Sequence, residues 1–297
     1  MRNGVLIALT AAALVTAGAA AAPADARPVS AAHSGTAHAA RSSARSAAPS
    51  VTAREAYLVD VTTGTIQFAK RETRRVPVAS LTKVMTAYVV RRRARLDDVL
   101  TITKADVKHA LAGGASAAGL RAGERLTVRD LLYALMLPSG ADAAHALAER
   151  YGPGTAKFVA RMNDTAKRLG LRDTRYANPD GLPSKGYSTA RDQATLAVAA
   201  LGDPVIATVA RSPKRAVTKS RLHRAHVWRN TNELLKDGAV GLKTGYTRQA
   251  GYCLSFAVTR DDRTYVGVLL GERSERARYT TARRLLDWID EQGLALP

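Results

Sequence analysis

Apolar residues alternate with polar ones near both ends of the chain and recur at helical spacing between them. Two pairs of short alternating segments flank polar turns, which predicts two β-hairpins. The hairpins cover residues 56–61 with 65–69, and 252–258 with 264–270. Helical spacing predicts helices over residues 128–137, 141–150, 155–169 and 274–291. Strands at both ends of a chain with helices between them predict an α+β fold.

The first 26 residues have the composition of a secretory signal peptide. Arg2 precedes an apolar stretch over residues 5–22, and Ala24-Asp25-Ala26 fits the small-residue cleavage pattern. We therefore expect export, with a mature chain that begins near Arg27. Retention as a membrane anchor is the less favoured alternative, because the apolar stretch is short for a bilayer span.

The rest of the chain divides by composition into two regions. Residues 27–50 contain mostly Ala, Ser, His, Pro and Arg, with almost no large apolar side chains. Such a segment cannot bury enough surface to offset the entropy of ordering, so it is predicted to be a flexible tether. Residues 51–297 are long enough for one catalytic domain with a substantial core.

Candidate chemistry begins at Ser80 and Lys83, which lie three residues apart. A proline within residues 76–79 favours extended backbone, and residues 83–90 have an apolar helical pattern, so Ser80 is expected at a helix N-terminus. The helix dipole and free N–H groups there favour a developing oxyanion. A lysine one turn along can take the hydroxyl proton if burial or a cation such as Lys243 removes its charge. Alternatively, Ser80 caps the helix and Lys83 extends into solvent.

Two further segments follow in the chain. Ser139-Gly140-Ala141 lies between two predicted helices, and Lys243-Thr244-Gly245 lies in a strand-like stretch. The lysine and the threonine hydroxyl can bind a terminal carboxylate while the strand edge pairs with an extended peptide. A solvated turn between two strands is the alternative for this third segment.

These three segments, in this order along the chain, resemble the motifs of the serine D-alanyl-D-alanine carboxypeptidases, the low-molecular-mass penicillin-binding proteins of peptidase family S11. Similar family sequence can be recognised at residues 56–60, 127–140, 178–182 and 188–192, and the resemblance covers residues 51–293. It implies an antiparallel five-stranded sheet with helices on both faces and a helical lobe, as in penicillin-binding proteins and β-lactamases.

The resemblance also implies a role for each matching residue. The implied catalytic residues are the nucleophile Ser80, its general base Lys83 and the proton relay Ser139. The implied substrate-binding residues are Lys243, Thr244 and Gly245, and the oxyanion hole would consist of the backbone N–H groups of Ser80 and Tyr246. No cofactor or metal is implied. The implied substrates are peptidoglycan stem peptides ending in D-Ala-D-Ala, with β-lactam antibiotics as inhibitors.

The second segment departs from the family pattern at its last position. Asparagine normally stands there, whereas this chain has Ala141, which offers no side-chain hydrogen bond. A carboxypeptidase is the leading hypothesis. One alternative is a β-lactamase or D,D-transpeptidase, which share the three segments. The other is a non-catalytic cationic wall-binding protein.

The charge of the chain bears on its partners and location. Its 45 Lys and Arg residues against 25 Asp and Glu give a net charge of +20, which attracts polyanions. Basic residues concentrate at 91–95 and 211–229, but no nucleic-acid-binding motif accompanies them. We therefore expect an exported, secreted or wall-associated enzyme without a C-terminal membrane anchor, attracted to anionic envelope polymers. The single cysteine, Cys253, is predicted to be buried in a strand.

Overall fold

The computed structural model of the protein describes residues 47–112 and 115–294. The predicted signal peptide and residues 27–46 of the predicted tether lie outside this part of the chain. Residues 47–50, which complete the tether, have no regular secondary structure.

Strands and helices alternate along the described chain. The strands are β1 Glu55–Asp60, β2 Ile66–Lys70, β3 Val99–Thr101, β4 Arg125–Thr127, β5 Lys214–Val217, β6 His226–Arg229, β7 Gly241–Thr247, β8 Gly251–Arg260 and β9 Arg263–Glu272. The α-helices are α1 Thr82–Arg91, α2 Lys104–Ala112, α3 Val128–Met136, α4 Ala141–Tyr151, α5 Thr155–Arg168, α6 Ala190–Leu201, α7 Pro204–Arg211 and α8 Glu275–Leu294.

A five-stranded antiparallel sheet joins the two ends of this region. Its strand order is β2-β1-β9-β8-β7, so that β1 pairs with β9 across most of the chain length. Both predicted hairpins are confirmed as β1 with β2 and β8 with β9. This order leaves β7, which carries the third sequence segment, at one edge of the sheet.

Helices cover both faces of the sheet. α8 packs against β8 and β9, where Leu285, Leu286 and Ile289 join an apolar cluster that includes Phe256. On the opposite face, α6 packs against β1, β8 and β9, and α1 packs against α6 and β7. The predicted α+β fold with helices on both faces is therefore confirmed. Burial of apolar side chains in these two layers is the main force that holds the sheet and helices together.

A helical lobe built from α2, α3, α4 and α5 stands beside the sheet, with α1 packed against three of these helices. The Thr127 hydroxyl accepts a hydrogen bond from the Asp130 N–H, which caps the start of α3. The short segment between α3 and α4 contains Ser139. Among the described residues no single helix is long and apolar enough to cross a bilayer, and only α6 with α7, which meet at a 106° bend, pass that test together.

Candidate active site

Ser80 lies in a single turn of 3-10 helix, Ala79–Leu81, directly before α1. The turn begins with Ala79 in a left-handed conformation, with a φ of 49°. Gly181 packs against it so closely that a Cβ at that position would overlap the Ala79 carbonyl group. Neither α1 nor the turn has a side-chain cap at its start, so Ser80 does not act as the capping residue. Its hydroxyl instead faces a cleft.

Lys83 is buried beneath Ser80 rather than extended into solvent. Only 2% of it is exposed, its Nζ lies 3.1 Å from Ser80 Oγ, and it donates a 2.7 Å hydrogen bond to the Asp180 carbonyl oxygen. Burial lowers the pKa of Lys83 to about 8, against the opposing attraction of Asp180 and Asp142. The sequence predicted that Lys243 would help to lower the pKa of Lys83. In the structure the influence runs the other way: burial and the nearby positive charge of Lys83 hold the pKa of Lys243 well below its usual value.

Ser139 approaches the cleft from the lobe. Its φ of 65° turns the chain sharply between α3 and α4, and the next residue, Gly140, donates its N–H to the Ala134 carbonyl oxygen at 3.0 Å. A Cβ at Gly140 would lie 2.6 Å from that same oxygen, so glycine is required there. Within the described part of the chain, the buried Ser139 Oγ has no hydrogen-bond partner. It is therefore free to bind a group that enters the cleft.

Edge strand β7 forms the opposite wall of the cleft. Lys243 is buried and donates from Nζ to the Thr244 carbonyl oxygen at 3.0 Å, while Thr244 Oγ1 lies 2.7 Å from Thr231 Oγ1. A Cβ on Gly245 would lie 3.1 Å from the Ser80 backbone nitrogen, so this glycine allows the strand to approach the Ser80 turn closely. The alternative of a solvated turn for this segment is wrong.

Tyr246 lies at the open end of the same strand. Its side chain is 53% exposed, and its ring packs against Tyr252 with centroids 4.3 Å apart. The cleft that these residues surround has a volume of about 750 Å³. It is lined by Ser80, Lys83, Ser139, Thr244, Gly245 and Tyr246 together with residues from several other segments. The structure therefore brings the sequence-predicted site residues to one place, with Lys243 buried in the strand behind them.

Arg278 on α8 also lines this cleft, although sequence analysis did not single it out. Its guanidinium is almost fully buried and lies over the rings of Tyr252 and Tyr279, at 5.7 and 4.8 Å from their centroids. It also forms an ion pair of 2.5 Å with Glu275. A buried, fixed guanidinium beside Thr244 and Gly245 is a group that can bind a carboxylate through two N–H donors.

Asp180 also lies at the site, although sequence analysis gave it no role there. Residues 178–182 were recognised only as a family-like segment. Its carbonyl oxygen accepts the hydrogen bond from Lys83, and its buried carboxylate lies 2.5 Å from His109 Nε2. The Gly181 N–H donates to Asn178 Oδ1, and the Leu182 N–H donates to Asp180 Oδ1. These bonds fix the loop that packs against the Ser80 turn.

Ala141 begins α4 and is completely buried. Its N–H donates to the Ser116 carbonyl oxygen at 2.8 Å, which ties the start of α4 to a loop that lines the cleft. Cys253 is also completely buried, as predicted, and burial raises the pKa of its thiol to about 11, so that it stays protonated.

The model of the D-alanyl-D-alanine carboxypeptidases, peptidase family S11, matches residues 42–274 of the chain. The chain belongs to this family. Members related to it include the D-alanyl-D-alanine carboxypeptidase of Streptomyces sp. strain K15, which is 38% identical over 255 residues, covering 81% of this chain and 88% of that protein. DacD of Salmonella typhimurium is 36% identical over 252 residues, covering 81% of this chain and 63% of that protein.

Solved structures of S11 family proteins have the same fold. The Streptomyces K15 DD-transpeptidase superposes with a TM-score of 0.78 at 38% identity, over 84% of this chain and 99% of that one. DacD from Francisella tularensis superposes with a TM-score of 0.75 at 29% identity, over 82% of this chain and 71% of that one. The resemblance identified in the sequence is therefore confirmed, as is its penicillin-binding-protein fold.

Proposed function

We propose that this S11 enzyme is exported and trims peptidoglycan stem peptides ending in D-Ala-D-Ala through an acyl-enzyme on Ser80. The observation that carries the proposal is the 3.1 Å contact between Lys83 Nζ and Ser80 Oγ at the cleft. The depressed pKa of Lys83, about 8, gives a useful neutral fraction at physiological pH, which a general base requires.

The proposed reaction has two stages. Neutral Lys83 takes the hydroxyl proton while Ser80 Oγ attacks the carbonyl carbon of the penultimate D-alanine, and the Ser80 and Tyr246 N–H groups stabilise the oxyanion. Ser139 relays a proton to the departing D-alanine, whose carboxylate is bound by Lys243, Thr244 and Arg278. Water then attacks the ester carbonyl carbon and gives a proton to Lys83, the bond from that carbon to Ser80 Oγ breaks, and Ser80 regains the proton as the shortened peptide leaves.

Release of D-alanine from a D-Ala-D-Ala peptide, together with covalent labelling by fluorescent penicillin, tests this function. A carboxypeptidase is expected to do both. Labelling without D-alanine release would contradict hydrolysis, and the absence of both would favour the non-catalytic wall-binding alternative. Rapid turnover of penicillin, rather than a lasting acyl-enzyme, would identify a β-lactamase.

A D,D-transpeptidase is the second candidate because the solved relative from Streptomyces K15 carries that name and this chain has Ala141 in place of the usual asparagine. Transpeptidation requires that an amine, rather than water, attacks the Ser80 ester. Adding an acceptor amine such as glycine to the D-alanine release assay separates the two activities. A transpeptidase forms mostly the aminolysis product, whereas a carboxypeptidase continues to form mostly the shortened peptide.

The substitution Ala141→Asn is expected to increase acylation. An amide at this position can donate to and accept from groups at the reacting centre, and each such bond is worth about 0.5–1.5 kcal/mol. The expected gain is therefore up to about tenfold, since about 1.4 kcal/mol corresponds to a factor of ten. Second-order acylation rates with one penicillin and one D-Ala-D-Ala peptide check it. A decrease for both substrates would mean that the cleft is packed around alanine.

The basic surface of the enzyme supports a further part of the proposal, namely electrostatic retention at an anionic cell envelope. Residues 204–232 contain no Asp or Glu. The β5–β6 hairpin and its loop expose four cations, Lys214, Lys219, Arg221 and Arg229. By contrast, Arg91 pairs with Asp203 and Arg92 lies over the Tyr88 ring, so those cations serve local structure.

Replacing the four exposed hairpin cations with glutamine is expected to weaken binding to isolated cell walls without lowering D-alanine release from a small peptide. Co-sedimentation with walls at low and high salt measures this, because screening should remove the same attraction in the unmodified enzyme. Matched replacement of four exposed cations elsewhere, Lys157, Lys167, Arg172 and Arg284, is the control. Equal loss in both variants would show that net charge, not the hairpin, sets retention.

A further inference from the structure

Two histidine–carboxylate pairs lie side by side, and Asp180 of one pair also binds Lys83. His109 Nε2 lies 2.5 Å from Asp180 Oδ2, and His145 Nδ1 lies 2.6 Å from Asp106 Oδ1. The two imidazole rings are 4.6 Å apart. The Asp180 side chain is completely buried and that of Asp106 is 3% exposed, so both carboxylates depend on the histidines for part of their stabilisation.

Asp180 connects this cluster to the reaction site. Its carbonyl oxygen accepts from Lys83, and its carboxylate contacts His109, so one residue touches both groups. The pKa of Asp180 is lowered, because the hydrogen bond from His109 and the attraction of Lys83 outweigh burial. Asp180 is therefore ionised. An ionised carboxylate can only accept hydrogen bonds, so His109 donates its Nε2–H to it.

A buried negative charge near Lys83 favours the protonated form of the lysine, which cannot act as a base. The Asp180 carboxylate raises the pKa of Lys83 in this way, against the effect of burial. A donor held on the far side of the carboxylate draws its negative charge away from Lys83. His109 is placed to do this, since it contacts the Asp180 carboxylate but, unlike Asp180 and Lys83, does not line the cleft.

We propose that His109 is a positioning residue for catalysis, which acts through Asp180 to fix the carbonyl oxygen that holds Lys83 and to screen Lys83 from the buried carboxylate. This inference rests on the proposed function, in which Lys83 is the base. Without His109, the Asp180 carboxylate would keep its full charge towards Lys83 and lose one of the bonds that hold it in place.

The groups around the two imidazoles belong to four elements. Asp180 faces His109 from the loop, with Lys83 of α1 beyond it. Asp106 is on the same helix as His109, and α4 contributes His145 and, 4.0 Å from its Nε2, Glu149. The pKa of His145 is raised chiefly by its hydrogen bond to Asp106. A surface groove of about 590 Å³ is lined by Asp106, His145 and Glu149, so the His145–Asp106 pair is in contact with solvent.

The substitution His109→Leu, which removes the donor to Asp180, is expected to move the midpoint of the acylation pH profile upward from about 8, the value set by Lys83. The rate at pH 7 should fall about three- to tenfold, because each unit of upward shift reduces the neutral fraction of Lys83 about tenfold below the midpoint. The rates of the variant and the unmodified enzyme should converge at high pH. The acylation rate of a penicillin between pH 6 and 10 provides this profile. His223→Leu, in the hairpin loop, is the matched control and should leave the profile unchanged.

Asp180→Asn supplies an independent test with the opposite sign. Removing the carboxylate removes the charge that favours protonated Lys83, so the midpoint should move below that of the unmodified enzyme even if the plateau rate falls. In the double variant His109→Leu with Asp180→Asn, the midpoint should follow Asp180→Asn alone. A merely structural pair would lower the plateau in all three variants without moving the midpoint, and that result would overturn the inference.

Failure of this inference and failure of the proposed function give different results. If the midpoint near pH 8 disappears in Lys83→Met but is unmoved in His109→Leu and Asp180→Asn, Lys83 is the base and His109 has no positioning role. If the midpoint persists in Lys83→Met, the proposed base is wrong and the inference fails with it.

Discussion

Ser80→Ala is expected to abolish both D-alanine release and covalent labelling by fluorescent penicillin. In the proposed mechanism both reactions form an ester to the Ser80 oxygen, and Lys83 has no other hydroxyl within the 3-10 turn to activate. Loss of the nucleophile in serine hydrolases reduces turnover by about 10⁶-fold, so the remaining rate should be close to background. Mass spectrometry of the penicillin adduct and a D-alanine assay measure the two outcomes.

Ser220→Ala is the matched control, because Ser220 lies in the exposed loop between β5 and β6. It should retain full labelling and release. The melting temperature of Ser80→Ala should stay close to that of the unmodified enzyme, since Ser80 caps no helix. Stoichiometric labelling that persists in Ser80→Ala would refute the assignment of the nucleophile.

The elements with the strongest patterns could be predicted from the sequence. The two hairpins alternate clearly, and the helices at α3, α4, α5 and α8 show regular apolar spacing, so their positions agree with prediction to within a few residues. Strands β3 and β4 have three residues each, which is too short for an alternating pattern. Pairing of β1 with β9 joins residues more than 200 positions apart, and only the family resemblance indicated it.

The candidate site was partly predictable for a similar reason. The contact between Ser80 and Lys83 follows from their spacing on adjoining helical turns. The left-handed conformation of Ser139 has no such signal, because a serine rarely adopts it unless the surrounding structure requires it. His109 and Asp180 are 71 positions apart and meet only in the folded chain. Arg278 lies within a charged helix, where an arginine is normally expected in solvent, so its burial at the cleft could not be predicted.

Lys83→Met is expected to reduce acylation by several orders of magnitude and to remove its dependence on pH near 8. In the unmodified enzyme, protonated Lys83 predominates below its pKa of about 8 and cannot accept the Ser80 proton. The acylation rate should therefore rise with pH and level off above that value. Methionine fills the buried space left by the lysine but has no basic group, so the residual rate should be low and flat through this range.

Second-order rate constants for acylation by one penicillin between pH 6 and 10 measure both effects. Lys167→Met provides the matched control, because the Lys167 side chain is 82% exposed on α5 and does not line the cleft. Its profile should coincide with that of the unmodified enzyme. A Lys83→Met enzyme that kept the same midpoint would show that another group takes the proton. Lys243 would then be the next residue to replace, because it is also buried beside the Ser80 turn. Burial and nearby cations lower the pKa of Lys243 as well.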